Sequence, residues 1–277
     1  MGRLGGWTSL KEEGPGMPVT YFKEASITGR DFDRGVTLEL GVWTPRQGSL
    51  RMTLGGGYVV ADRVTETAGH GEWPCRVYRV EVPDGNWPVV EPHVFRVPTY
   101  RPVAELESWS VLGPQGREVS ALLDRAADLD YIEILKLADG ELDPWQPMYD
   151  TARAIASHVG GPANRGERFG ALMAAQGAAA AGIERSRDKA GRAGTFDGPL
   201  IALAAMALAD DPSIAEAGRK VTPLDRKDLV ERLYGRALAV VWFAAWGYVM
   251  RDLLAEADFE ALSARWRTVI GEPSTSG

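Results

Sequence analysis

The sequence predicts an α+β fold: a small, mostly antiparallel β domain followed by an all-helical bundle with one long, buried central helix. Three observations carry that expectation. Alternating apolar residues and scattered prolines fill the chain to about residue 112, Gly113-Pro114-Gln115-Gly116 interrupts it, and from Met148 onward the spacing is helical. The domain plan is a tail over 1–16, a β-rich domain over 17–113, and a connecting helix and linker over 114–147. A helical bundle over 148–271 and a tail over 272–277 complete it.

Within the β-rich part, Val36, Leu38, Leu40 and Val42 alternate with Thr37, Glu39 and Gly41, the period of a half-buried strand. Leu50, Met52 and Leu54 repeat it after the 45–48 turn, and strands are expected over 58–64, 75–82, 94–97 and 103–112. Pro83, Pro88, Pro92, Pro98 and Pro102 hold the intervening chain away from helix. Beyond the boundary, 119–129 reads as a helix with Leu122, Leu123, Ala126 and Leu129 on one face. The 131–138 segment fits strand or helix, and 139–147 (DGELDPWQP) reads as a turn-rich connector.

Further helices are expected over 148–159, 165–187 and 199–209, with loops at 160–166 and 191–198. The longest helical signal, 222–255, has Thr222 as a cap, Pro223 at the first helical position and acidic residues in the first turn. Its middle, 237–250, carries no charge, and a helix apolar all round belongs inside something. Arg236 and Arg251 bracket fewer than the ~20 apolar residues a bilayer span needs, so the expectation is a core helix and no membrane contact. Trp242 and Trp246 fit core packing, and Gly235 and Gly247 suggest close approach of another backbone or a kink. Asp258 suits the cap of a final short helix bearing Phe259, Leu262 and Trp266.

A chain of 277 residues with 45% hydrophobic and 25% charged residues has the composition of an ordinary globular protein. The net charge of −7 argues against generic nucleic-acid binding, which needs a basic surface. Cys75, the single cysteine, permits no intrachain disulfide, and residues 1–16 hold no apolar core of signal-peptide length. A cytoplasmic protein is expected.

Candidate chemistry is sparse. His70-Gly71-Glu72 with Pro74-Cys75 invites comparison with zinc deaminases, but the elements crowd into one loop and Tyr78 stands where a second cysteine is needed. Asp139, Glu141 and Asp143 stop short of a calcium loop at Pro144. Gly55-Gly56-Gly57 precedes a strand, which suits a hairpin rather than a phosphate cradle. No metal site and no cofactor are expected. His70, Glu72 and His93 remain as candidate catalytic groups. Arg165 and Arg168, at the start of a helix, are candidates for anion binding. Arg185, Arg187, Lys189 and Arg192 form the basic cluster a nucleic acid or acidic partner would use, interrupted by Asp188.

The C-terminal end, Arg251-Asp252-Leu253-Leu254 followed by Phe259, Leu262, Trp266, Val269 and Gly271, resembles the ending of a group of actinobacterial and actinophage proteins. Those proteins pair a small N-terminal β-rich region with Ala-rich helices. No activity attaches to that group, so the resemblance implies source and architecture.

The functional expectation is a non-enzymatic structural or protein-interaction protein, phage-encoded or phage-associated, acting through a protein partner or self-association. Aromatic residues placed in loops, such as Trp43, Trp73, Trp87 and Trp145, suit such contacts. One alternative is an enzyme handling small molecules or nucleotides between the two domains, and another is a nucleic-acid-binding protein.

Overall fold

A computed structural model describes residues 20–48, 56–67, 73–139, 142–159, 168–193, 198–208 and 226–274. Among these, six strands form one antiparallel sheet: β1 (Tyr21–Ala25), β2 (Tyr58–Ala61), β3 (Arg76–Glu81), β4 (Val89–Glu91), β5 (Val94–Val97) and β6 (Arg101–Leu106). The spatial order is β4-β5-β2-β1-β3-β6. Seven helices follow: α1 (Gly116–Ala126), α2 (Tyr131–Ala138), α3 (Leu142–Val159), α4 (Phe169–Arg192), α5 (Gly198–Ala207), α6 (Arg226–Val249) and α7 (Glu256–Val269). The fold is α+β.

Register explains the two faces of the sheet. Lys23 lies opposite Tyr78 and Tyr21 opposite Val80, so these side chains share one face, while Glu24 opposite Val77 marks the other. The first face, with Tyr58, Val60 and Val97, is covered by the chain between β1 and β2 through Leu38, making a small core with Tyr100. On the second face Val77 joins Trp73 and Cys75 in the same apolar cluster as the helices. The β-rich and helical halves therefore share a core.

α6 is the axis of that larger core. It packs against α4, α7, α2, α1 and α5, and Ala237, Val240, Val241, Ala244, Ala245 and Val249 are wholly buried. Its Trp246 Nε1 donates to Leu172 O at 3.0 Å, so the indole brings no unsatisfied donor into the α4 contact. Gly247 admits α7, since a Cβ there would sit 3.2 Å from Leu262 Cβ. Gly235 faces open space, so the expected close approach exists at one of the two glycines only.

Several expected boundaries move. The 131–138 segment is helix, because Asp130 accepts from Glu133 N at 2.8 Å while Glu133 reaches back to Asp130 N at 3.0 Å. The expected connector at 139–147 already belongs to α3 from Leu142, and Pro144 falls in the first turn, where a missing N–H leaves no gap. The segment after β6 winds into a 3-10 turn at Ser108–Leu112 instead of extending the strand. The N-cap of α7 is Ala255, and Asp258 stands in its first turn. β1 and β4 are strands that alternation did not mark, and the expected strand at 50–54 and the Thr222 cap lie outside the described residues. No described helix is long and apolar enough to cross a membrane.

Candidate functional site

The expected strand over Val36–Val42 is a loop with two ends of opposite character. Leu38 is buried in the small core, whereas Leu40, Val42 and Trp43 are 56%, 52% and 43% exposed. The reversal comes from a tight turn: Val42 N donates to Glu39 O at 3.2 Å, and Gly41 takes φ +79°. A side chain at Gly41 would be strained in that conformation, so glycine sets the turn that swings Leu40 and Val42 outward.

The turn is held rigidly. Gly41 N donates to Pro102 O at 2.7 Å, Thr44 N to Tyr100 O at 2.9 Å and Gln47 N to Pro98 O at 2.8 Å, so 41–47 runs antiparallel beside 98–102. Thr44 and Thr99 are buried and bind each other's segment, with Tyr100 N donating to Thr44 Oγ1 at 3.0 Å and Thr99 Oγ1 to Thr44 O at 2.6 Å. The Arg101 guanidinium lies 5.3 Å from the Trp43 ring centroid and also binds Glu81. A cation over the indole face steadies that ring without covering it. The result is three apolar side chains presented to solvent on an ordered support, which lowers the entropy lost on binding.

The other candidates are placed as follows. His70, Glu72 and Arg165 lie outside the described residues. His93 sits in the turn joining β4 and β5 with φ +66°, and its Nδ1 is 2.9 Å from Asp62 Oδ1. The ring is thereby oriented by a carboxylate from the end of β2, with about a third of the side chain exposed.

Arg168 is turned inward. It is 6% exposed, donates from Nη1 to Val249 O at 2.8 Å, and forms a two-pronged pair with Asp252, one contact being Nη2 to Oδ2 at 2.6 Å. The guanidinium holds the Asp252 carboxyl below the ordinary carboxylate range. At the N-terminus of α4, Gly170 N donates to Glu66 Oε2 at 3.3 Å, so a carboxylate of this chain stands where an external anion was expected. A Cβ at Gly170 would lie 2.5 Å from Thr65 O, which is why that close approach needs glycine. Glu66 and the buried Glu24 line a cavity of about 20 Å³, room for a water and not for a substrate.

In the basic cluster, Arg185, Lys189 and Arg192 are exposed and Arg187 is half-buried. Lys189 reaches back to the end of α1, donating to Ala127 O at 3.0 Å and pairing with Asp128, whose carboxyl it holds below its ordinary value. Burial raises the Asp124 carboxyl, an effect the Arg185 charge partly offsets. Two of the four cations thus face acidic groups of α1 and of the turn that follows it. Of the loop aromatics, Trp43 is exposed, Trp73 is buried in the larger core and Trp87 donates to Pro83 O at 3.0 Å. No group of three or more His, Cys, Asp or Glu able to hold a metal occurs among the described residues.

Comparison with protein-family models, with curated proteins and with solved structures finds no match.

Proposed function

We propose that this chain is a non-enzymatic interaction protein whose recognition surface is the turn bearing Leu40, Val42 and Trp43. The observation that carries the reading is their exposure on a segment fixed by buried threonines and main-chain hydrogen bonds. Lone exposed apolar residues are ordinary, but three within four positions on an ordered turn, one a tryptophan beside an arginine, make the composition of an interface anchor. The turn is anchored on the small core of the first sheet face, and the helical half packs on the opposite face. The partner is a protein or a second copy of the chain. The resemblance of the C-terminal ending bears on source, in a phage or actinobacterial setting, and leaves the partner open.

The test compares the wild-type chain with a Leu40→Asp/Trp43→Asp variant as bait in a lysate of the native host, with light scattering for self-association. A Met206→Ser variant, altering a side chain 70% exposed on α5, serves as control. The reading expects a partner or self-association retained by wild type and control and lost in the turn variant, with unchanged circular dichroism. Equal retention by all three would contradict it.

A second reading, an enzyme handling small molecules or nucleotides, draws support from the His93–Asp62 pair, since a carboxylate on one ring nitrogen orients an imidazole for base or ligand chemistry. A thermal shift with a nucleotide and metal panel that disappears in His93→Ala would favour it.

A further inference from the structure

Beneath the first face of the sheet lies a buried cluster that the recognition turn does not use. Lys23, in β1, the third strand from the β6 edge, is 3% exposed, and Asp31 in the chain that covers it is 1% exposed. Lys23 Nζ is 2.5 Å from Asp33 Oδ2 and 3.3 Å from Asp31 Oδ2. Each carboxylate is held by donors of its own. Asp33 Oδ2 accepts from Val59 N at 2.9 Å. Asp31 accepts from Tyr100 OH at 2.5 Å on Oδ2 and from Arg34 N at 2.8 Å on Oδ1. The group lies on the sheet face of the small core, with Lys23 opposite Tyr78 and Tyr100 bonded to Asp31. Burial, and then the Asp31 carboxylate, raise the Tyr100 phenol far above its ordinary value, which keeps it a donor.

We propose that Lys23 and Asp33 condense to an internal amide, with Asp31 as the catalytic proton carrier. The groups are those the reaction needs: an amine, a carboxyl carbon whose oxygen is polarised by a fixed N–H, and a second carboxylate beside the amine. Lys23 Nζ passes a proton to Asp33 Oδ2, 2.5 Å away, which makes that carboxyl neutral and electrophilic, and the Nζ lone pair then forms the C–N bond at Asp33 Cγ. The tetrahedral carbon then expels one carboxyl oxygen as water. Asp31 Oδ2, 3.3 Å from the nitrogen, takes one proton from it and hands it to that oxygen, which already holds the one from Lys23, so Asp31 ends ionised as it began. An ammonium and a carboxylate become an amide and one water, and no oxidant or co-reactant is consumed. Holding the reactants in contact removes the entropy of bringing them together. Condensation also removes two buried charges, and Asp31, left ionised, keeps the Tyr100 OH and Arg34 N donors. Asp33, at 15% side-chain exposure, is the member of the cluster nearest solvent, giving the water a way out. Tyr100 acts as a positioning residue through Asp31.

The inference is independent of the recognition surface, and its test is the mass of the full-length chain under denaturing conditions together with a tryptic map. The expected mass is one water below that of the sequence. Trypsin should fail to cut after Lys23 and release a branched product, residues 12–30 joined to 31–34 through Lys23 and Asp33. Lys23→Met should restore the full sequence mass, and Asp33→Asn should give a chain lighter by one ammonia instead of one water. Asp31→Asn should leave most of the chain uncondensed. A wild-type chain at its full sequence mass, cut normally after Lys23, would overturn the proposal. So would a water deficit that persists in Lys23→Met, because an aspartyl succinimide would then be its source.

Discussion

Two uncharged stretches of this chain, 237–249 in α6 and the 40–43 turn, look alike as letters and behave oppositely in the fold. The first is gripped by its own chain: α4, α7, α2, α1 and α5 surround it. The second extends outward with Leu40, Val42 and Trp43 exposed. The difference is one of backbone geometry. A helix of apolar residues presents them in every direction and needs a surround, whereas a turn with glycine at a positive φ points consecutive side chains away from the core that anchors its ends. Apolar surface in α6 thus contributes to stability, and apolar surface in the turn remains available to a partner.

The comparison breaks most readily on the α6 side. Trp266 of α7, 1% exposed, belongs to the cluster around α6, and Trp266→Ala should lower the unfolding free energy by about 3–5 kcal/mol in a denaturant titration. A loss below 1 kcal/mol would mean that the helical core is not built around that contact.

Next in size is the tie between α4 and the end of α6. Arg168→Ala removes charge-assisted bonds to Val249 O and Asp252 and should lower stability by about 1.5–3 kcal/mol. The pH dependence follows from the lowered Asp252 value. A carboxyl whose folded value lies below its unfolded value contributes stability that is present above the unfolded value and lost as pH falls through the folded one. The wild-type chain should therefore lose this contribution on acidification below the ordinary aspartate range. Arg168→Ala should flatten that acid limb, because the largest cause of the lowered Asp252 value is then gone. Solvent screening of the half-exposed Asp252 keeps the effect modest.

The smallest effect separates the two glycines of α6. Gly235→Ala adds a methyl in open space and removes glycine's helix penalty, so it should stabilise the chain by about 0.5–1 kcal/mol. Gly247→Ala meets Leu262 Cβ at 3.2 Å and should gain nothing or lose stability. Paired thermal melts would show whether α7 packs as closely as described.

What could be read in the letters was what depends on near neighbours. The uncharged middle of α6, the β5 strand at 94–97 and the break at 113–116 follow from composition and period alone. The Asp130–Glu133 box was written in the sequence too, and it decides the segment that hydrophobic pattern left open. β1 escaped because its buried positions include Lys23 and Glu24, charges that an alternation rule assigns to solvent. The candidate site was half legible. Trp43 stood out as a loop aromatic, but Leu40 and Val42 matched a strand period that Gly41 interrupts through a turn. The His93–Asp62 pair and the Lys23–Asp31–Asp33–Tyr100 cluster were invisible, since their members meet only when the sheet brings distant segments together.

The most direct test of the contrast is the denaturation midpoint of a Leu40→Ser/Val42→Ser variant measured beside wild type. Apolar side chains that serve a partner and not the fold can be removed without loss, so the unfolding free energy obtained from that midpoint should stay within about 0.5 kcal/mol of wild type. A drop of the size expected for Trp266→Ala would show that the turn belongs to the core and that its exposed surface is not there for recognition.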